Sequence, residues 1–183
     1  MTTTFPHADK GTPGYDIDEV ESFLATAREA YTAEVGESPL TAEAIRGTGF
    51  TVRSKGGYST AHVDAALERL EDAFATRERD RAVTDAGEQA WYGSARERAQ
   101  VILDRLVRPE GHRFTRVSWF TLGYSTKEVD ALADRVSGYF QTGAVITVDE
   151  IRTSVFAAQR GGYSEAQVDA VLDAVTSTML AVR

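Results

Sequence analysis

The chain has 183 residues, of which 42% are apolar, 28 are acidic and 20 are basic, so its formal net charge is −8. The apolar fraction is enough for a packed core and argues against a wholly disordered chain. The acidic balance disfavours non-specific binding to nucleic acids and anionic lipids. The absence of cysteine excludes disulfides, thiolate metal sites and cysteine nucleophiles. No window has the roughly 20 apolar residues of a membrane span and no secretory signal begins the chain, so we expect a soluble, cytoplasmic protein.

A pattern of about twelve residues, such as GGYSTAHVDAAL at 56–67, occurs four times. Each copy has Gly-Tyr, then Ser or Asp, then Val four residues later, and then an acidic residue. The Gly-Tyr pairs are Gly14 and Tyr15, Gly57 and Tyr58, Gly123 and Tyr124, and Gly162 and Tyr163. The Ser or Asp and the Val are Asp16 and Val20, Ser59 and Val63, Ser125 and Val129, and Ser164 and Val168. An internal repeat of this kind decides the architecture.

Every position of this motif suits the start of a helix. Ser and Asp are preferred N-caps, since their side-chain oxygens accept from free N–H groups of the first turn. Three residues later, Glu19, Glu128 and Gln167 complete a capping box, whereas the second copy has His62. The tyrosine and the valine have the spacing of a hydrophobic staple, and the glycine gives backbone freedom for a sharp entry. The motif therefore predicts four helix starts and a structural role.

Further helices are predicted between the motif copies. Thr41 and Thr147 are predicted N-caps of two short helices, and Phe50 and Phe156 are predicted to end these helices as apolar anchors. The second motif helix is predicted to continue through the charged segment 76–86 and to end near Gly87. A connecting helix follows, with Ser94 as its cap, Trp91 and Tyr92 packed at its entry, and Pro109 and Gly111 as its stop.

We therefore expect an all-α protein of about six to eight helices, built from tandem short-helix, turn and helix modules. The first half, 1–86, and the second half, 113–183, each hold two modules, and 87–112 is a connecting segment with one helix. The segment GAVITV, 143–148, is the one candidate strand, and we interpret it as a helix start because it aligns with the cap in the other half.

Signals for chemistry are weak. No phosphate-binding glycine loop is present, and GYS lacks the second glycine of a nucleophile elbow. DIDE at 16–19 lacks the glycine and the distal glutamate of a calcium loop, and acidic residues also suit a first helical turn. His7, His62 and His112 have no metal-ligand spacing. We expect no catalytic residue, no metal and no cofactor.

A short helix, a turn and a second helix also form the helix-turn-helix unit of DNA-binding proteins. The second helices here are acidic, which disfavours contact with phosphates. The acidic positions are Asp64, Glu68, Glu71, Asp72, Asp169 and Asp173. DNA binding is kept as an alternative.

The stretches 40–70 and 146–175 resemble the N-terminal region of DivIVA-type proteins. That pattern is a short "LT…I…F" helix, a "GY" turn and a helix with "VD…L", read here in LTAEAIRGTGFTVRSKGGYSTAHVDAALERL. The copies at Tyr15 and Tyr124 match the turn and the following helix only. The likeness is greatest to small multi-repeat DivIVA-domain proteins of high-GC Gram-positive bacteria. The resemblance implies a non-catalytic scaffold of cell division or polar growth, located at septum or poles, with division or envelope-growth proteins as partners.

The family dimerises through a parallel coiled coil and binds curved membrane through an exposed apolar and basic pair before the Gly-Tyr. Here the predicted helices of roughly 16–20 residues are short for an independent coiled coil. A hypothesis is that the four modules pair within one chain, and self-association is the alternative.

The membrane-inserting aromatic of the family is absent before the second and fourth Gly-Tyr, where Lys55-Gly56 and Arg160-Gly161 stand. Only Trp119, Phe120 and Leu122 would form an apolar wedge for a membrane or a partner, flanked by Arg113 and Arg116. The alternative, which we favour, is that Trp119 and Phe120 belong to the core.

Overall fold

The computed structural model describes residues 5–33 and 40–182. Seven helices and four short strands lie in these ranges, so the prediction of a mainly helical protein is confirmed. The chain forms two compact units, Met1–Asp85 (unit 1) and Ala86–Arg183 (unit 2). Among the helices of the described ranges, none combines the length and the apolar character that crossing a membrane requires.

Unit 1 contains β1 (Gly14–Tyr15), α1 (Ile17–Thr32), α2 (Ala42–Arg46), β2 (Val52–Arg53) and α3 (Thr60–Ala86). The two strands are antiparallel, with Gly14 opposite Arg53 and Tyr15 opposite Val52. Helix α2 begins after Thr41, whose side chain accepts from the Ala44 N–H at 3.1 Å. The short strands hold the start of α1 beside the segment that leads into α3.

Two groups of buried side chains form the core of unit 1. One consists of Val20, Tyr58 and Val63 near the helix starts. The other joins α1, α2 and α3 further along and consists of Ala30, Ala42, Ile45 and Phe74. Polar side chains of α3 satisfy the helix ends: Arg77 donates to the Ala30 carbonyl at 3.0 Å, and Glu78 accepts from the Ala42 N–H at 2.8 Å.

Unit 2 contains α4 (Glu88–Leu106), β3 (Leu122–Tyr124), α5 (Thr126–Thr142), α6 (Val148–Arg152), β4 (Ala158–Arg160) and α7 (Glu165–Ala181). Strands β3 and β4 are antiparallel, with Gly123 opposite Gln159. Helix α4 packs against α5 and α7. The segment around Ile146 is not a strand, and α6 begins after the Thr147 cap.

Helix α4 differs from the prediction at its start. It begins at Glu88, and Gly87, with a φ of 84°, separates it from α3. Ser94 and Trp91 lie within the helix, and the Trp91 indole N–H donates to the Ala181 carbonyl at 2.8 Å. The predicted connecting helix is thus part of unit 2, because its buried face covers α5 and α7.

The four short strands were not predicted. Each has only two or three residues, too few to show the alternation of apolar and polar residues that marks a strand. They form because segments far apart in the sequence meet, which no local pattern reveals.

Candidate functional site

The two Gly-Tyr motifs of each unit lie side by side and antiparallel. The Tyr15 N–H donates to the Tyr58 carbonyl at 2.9 Å, and the Tyr58 N–H donates to the Tyr15 carbonyl at 2.9 Å. Tyr124 and Tyr163 exchange the same two bonds at 3.0 and 2.9 Å. The motif therefore precedes a helix and also joins two modules through backbone hydrogen bonds. We call this pairing the motif joint.

The motif glycines allow this close approach. A Cβ added at Gly14 would lie 2.7 Å from the Tyr58 carbonyl oxygen, and one at Gly57 would lie 2.5 Å from that of Tyr15. Carbonyl oxygens of the paired tyrosines block a Cβ at Gly123 and Gly162 in the same way. Of the four, Gly57 alone has a positive φ, 90°. Of the four motif glycines, only Gly57 thus needs the predicted backbone freedom. What all four share is that the paired motif leaves no space for a side chain.

The acidic residue of each motif binds the tyrosine of the paired motif. The Tyr58 hydroxyl donates to Glu21 at 2.5 Å, and the Tyr163 hydroxyl donates to the two Asp130 oxygens at 3.0 and 3.2 Å. In the reciprocal direction, Asp64 and Asp169 act on the hydroxyls of Tyr15 and Tyr124, and each carboxylate helps to raise the pKa of its tyrosine. Sequence reasoning noted the acidic residue but gave it no role. The signal in the sequence was that this acidic residue directly follows the valine in all four motifs.

Tyr58 and Tyr163 are fully buried, whereas Tyr15 and Tyr124 are half-buried. Burial, and then the charge of Asp64, raises the pKa of the Tyr15 phenol. Burial, and then the charge of Asp169, raises the pKa of Tyr124 in the same way. Burial also raises the pKa of Tyr163. The tyrosines are hydroxyl donors that hold modules together.

The motif N-caps act as predicted at two of the four helices. The side chains of Asp16 and Ser125 accept from the third helical N–H at 3.1 and 3.4 Å. Ser164 makes no such bond. The Ser59 hydroxyl lies 3.0 Å from Nδ1 of His62.

The second bond of the predicted capping box, from the cap N–H to the side chain of the third helical residue, is wrong. The Asp16 N–H donates to the Thr51 carbonyl at 2.9 Å, and Glu19 accepts from the Thr51 N–H at 2.7 Å. The cap and the third helical residue thus clamp the backbone of a neighbouring segment. The same clamp joins Ser125 and Glu128 to Ala157, and Ser164 and Gln167 to Thr115.

The second motif has His62 where the other three have Glu or Gln, and this exception has a physical reason. The Ser59 N–H donates to the Pro6 carbonyl at 2.9 Å, as the clamp requires. Proline has no N–H, so a Glu or Gln at position 62 would find no donor there. The exception in the second motif therefore follows from the residue that it faces.

Arg113 is buried, at 5% exposure, and does not flank the apolar residues as predicted. Its guanidinium donates to the Arg108 and Asp130 carbonyls at 3.1 and 2.6 Å and pairs with Asp134 at 2.5 Å. Its Nε lies 3.7 Å from the Asp130 carboxylate, which holds the Tyr163 hydroxyl. Arg113 therefore neutralises the buried acid of this motif pair.

Trp119 and Phe120 are 71% and 84% exposed, so the favoured prediction that they are core residues is wrong. They occupy a turn closed by the Thr121 N–H, which donates to the Ser118 carbonyl at 2.8 Å. Leu122 follows at 56% exposure. We call residues 118–122 the aromatic turn. The backbone of this turn is fixed while its large apolar side chains face solvent.

Two arginines lie near the aromatic turn. Arg160 is paired with Leu122 in the β3–β4 ladder. Arg116 donates through Nε to the Gly161 carbonyl at 2.7 Å, and the Gly161 N–H donates to the Thr121 carbonyl at 3.0 Å. The turn therefore joins an apolar surface to exposed cations.

Unit 1 has a turn with the same bond and different side chains. The Thr12 N–H donates to the Asp9 carbonyl at 2.9 Å, and Lys10 and Gly11 occupy the exposed positions. We call residues 9–13 the lysine turn. The two turns share the closing bond but not the whole backbone path, because Gly11 has a φ of 92° and Phe120, at the equivalent position, has no positive φ. The exposed positions carry a cation in one unit and two aromatic rings in the other.

Within residues 5–33 and 40–182, no group of three or more His, Cys, Asp or Glu side chains is placed to hold a metal ion. Comparisons of the chain with protein families, with curated proteins and with solved structures found no match. A function has to be inferred from the motif joint and the aromatic turn.

Proposed function

We propose that this protein is a non-catalytic, DivIVA-like interaction module that serves as a scaffold in bacterial cell division or polar growth. The observation that carries this is the aromatic turn, where Trp119 and Phe120 stand 71% and 84% exposed on a turn with a fixed backbone. Exposed aromatic side chains on a rigid support are typical of contact sites for other molecules. A division or envelope-growth protein at septum or poles is the proposed partner.

The proposed architecture is two similar halves, each with two DivIVA-like modules, with α4 between them in the sequence and packed in unit 2. Its support is that the same backbone bonds join Tyr15 to Tyr58 and Tyr124 to Tyr163. Because modules pair within one chain, the proposed species in solution is a monomer. Light scattering tests this, and an obligate dimer would contradict it.

A non-catalytic role agrees with how the polar motif residues are used. The tyrosine hydroxyls and the carboxylates after the motif valines bind one another, as in Tyr163 with Asp130. The acidic side chains of α3 and α7, for example Asp64 and Asp169, give DNA binding no support. The motif residues hold the scaffold, and the turn provides the contact.

A fluorescent fusion of the intact chain in growing cells of its own host tests the proposal. We expect foci at septa or poles that disappear when Trp119→Ala and Phe120→Ala are combined. The side chains are exposed, so the double variant should keep the melting temperature of the parent. Lys10→Ala, at the equivalent place of the lysine turn, is the matched control and should keep the foci. Diffuse fluorescence of the parent chain would contradict the proposed location.

The second candidate is a peripheral membrane adaptor that uses the same turn. The arrangement that favours it is an apolar surface beside Arg116 and Arg160, which suits a bilayer with anionic lipids. Co-sedimentation with vesicles that contain phosphatidylglycerol tests it. Binding that is lost in the Trp119 and Phe120 double variant would support the adaptor. Foci in cells without vesicle binding would point to a protein partner.

A further inference from the structure

Ser118 begins the aromatic turn and directly precedes Trp119. Its side chain is exposed, and its hydroxyl has no hydrogen-bond partner among the described residues. Its carbonyl closes the turn by accepting from the Thr121 N–H at 2.8 Å. The residue therefore combines an accessible hydroxyl with a fixed backbone at the edge of the contact surface.

The lysine turn shows that the first residue of such a turn can carry an acidic side chain. Asp9 occupies the place of Ser118, and its carbonyl accepts from the Thr12 N–H at 2.9 Å. The bond that closes the turn thus forms with a negative charge at the first residue. An acidic group on the exposed Ser118 side chain is consequently compatible with the bond that closes the turn.

We propose that Ser118 is a phosphorylation site that switches off the contact made by the aromatic turn, an inference that rests on the proposed function. The Ser118 hydroxyl oxygen attacks the γ-phosphorus of a nucleoside triphosphate held by a protein kinase. The Oγ–P bond forms and the bond from that phosphorus to the β,γ-bridging oxygen breaks. The nucleoside diphosphate leaves, and the hydroxyl proton passes to a base of the kinase.

The switch follows from charge. A phosphate adds a charge of about −1.5 to −2 beside Trp119 and Phe120, which makes burial of these rings in an apolar partner or bilayer unfavourable. Arg116 lies two residues before Ser118 and offers an exposed guanidinium to the phosphate. The modification would therefore remove both the apolar and the cationic attraction of the turn.

The first experiment looks for the phosphate itself. Trypsin cuts after Arg116 and Lys127, so Ser118 lies in one peptide, 117–127, of the chain purified from its own cells. Fragmentation in a mass spectrometer assigns the phosphate to a residue. Phosphate on Ser118 supports the proposal. A peptide that is unmodified in both growing and stationary cells, or modified only at Thr121, Ser125 or Thr126, overturns it.

The second experiment measures the consequence with the fluorescent fusion. Ser118→Asp should lower the fraction of protein in foci on the order of tenfold, as the loss of a central contact does. Ser118→Ala should keep the parent level. Ser54→Asp, which adds the same charge to an exposed loop of unit 1, is the matched control and should also keep it.

The Trp119 and Phe120 double variant separates the two proposals. If it keeps its foci, the aromatic turn is not the contact site and the proposed function fails. If it loses them while Ser118→Asp keeps them, only the phosphorylation switch is overturned. Melting curves of every variant show whether a loss comes from unfolding.

Discussion

Both units join their modules through the same motif joint, but the residues around this joint differ. In unit 2 the acid that holds the buried tyrosine is Asp130, which is itself buried beside Arg113. In unit 1 the equivalent acid is Glu21, which is exposed. Unit 1 has an ion pair elsewhere, between half-buried Arg46 and buried Glu71 at 2.6 Å.

Helix α4 accounts for part of this difference, because it packs on α5 and α7 and closes one side of unit 2. Ser137 of α5 is buried, whereas Arg28, at the equivalent position of α1, is exposed. The comparison teaches that the motif fixes the joint between modules while the residues around it follow what covers them. The turns diverge most, since no motif residue constrains their side chains.

The largest expected effect is at the joint. Gly123→Ala places a Cβ against the Tyr163 carbonyl, so backbone strands must separate, and we expect a loss of more than about 4 kcal/mol of stability in unit 2. Both tryptophans, Trp91 and Trp119, lie in unit 2, so urea unfolding followed by their fluorescence reports on that unit. Gly93→Ala has open space for its Cβ and should be close to neutral. An unchanged midpoint for Gly123→Ala would show that the strands are not in close contact.

Removing the buried guanidinium comes next. Arg113→Met leaves Asp130 charged and buried without its cation, which costs about 3–5 kcal/mol. Arg53→Met removes the surface partner of Asp16 in unit 1 and should change stability little. Urea titrations of the two variants compare an ion pair that is buried at both ends with one whose arginine is exposed. Equal effects would contradict the difference in burial between them.

Deleting one hydroxyl in each unit tests the tyrosine bonds. Tyr163→Phe removes a donor from buried Asp130, and we expect a loss of about 1.5–3 kcal/mol. Tyr58→Phe should cost below about 1 kcal/mol, because water can solvate the exposed Glu21 carboxylate. Chemical unfolding followed by circular dichroism measures both. A larger loss of stability for Tyr58→Phe than for Tyr163→Phe would contradict the finding that Asp130 is more deeply buried than Glu21.

Alkaline pH should give the smallest effect. Burial raises the pKa of Tyr15, Tyr124 and Tyr163, so the folded chain binds these phenolic protons more tightly than the unfolded chain. The stabilisation is fully present below the ordinary tyrosine pKa of about 10 and is lost as the pH rises through the raised values. Melting temperatures measured upward from neutral pH should fall in this range. Tyr124→Phe should reduce the slope, and an increase in stability above this pH would contradict the sign.

Sequence reasoning placed the helices well because their starts depend on local rules. Asp16 and Thr41 lie where the chain enters α1 and α2, and an N-cap acts over three residues. The tyrosine–carboxylate bonds and the clamp on Thr51 join segments that are distant in sequence, so no local rule predicts them.

The aromatic turn was misjudged for a different reason. Trp and Phe are most often buried, and composition gave no sign that Trp119 and Phe120 follow a surface turn. The equivalent positions in the lysine turn, Lys10 and Gly11, carried that information. A comparison of the two halves at this place would have predicted the exposure.

The reciprocal bonds between Tyr15 and Tyr58 also bear on how the chain is made. During synthesis the first motif emerges before its partner exists, and at roughly 5–20 residues per second the delay is on the order of several seconds. In that interval its backbone groups and Val20 remain in water, since Tyr58 and Val63 complete the same core. A single module is therefore not a folding unit on the ribosome, and gene truncations or fusions should preserve modules in pairs.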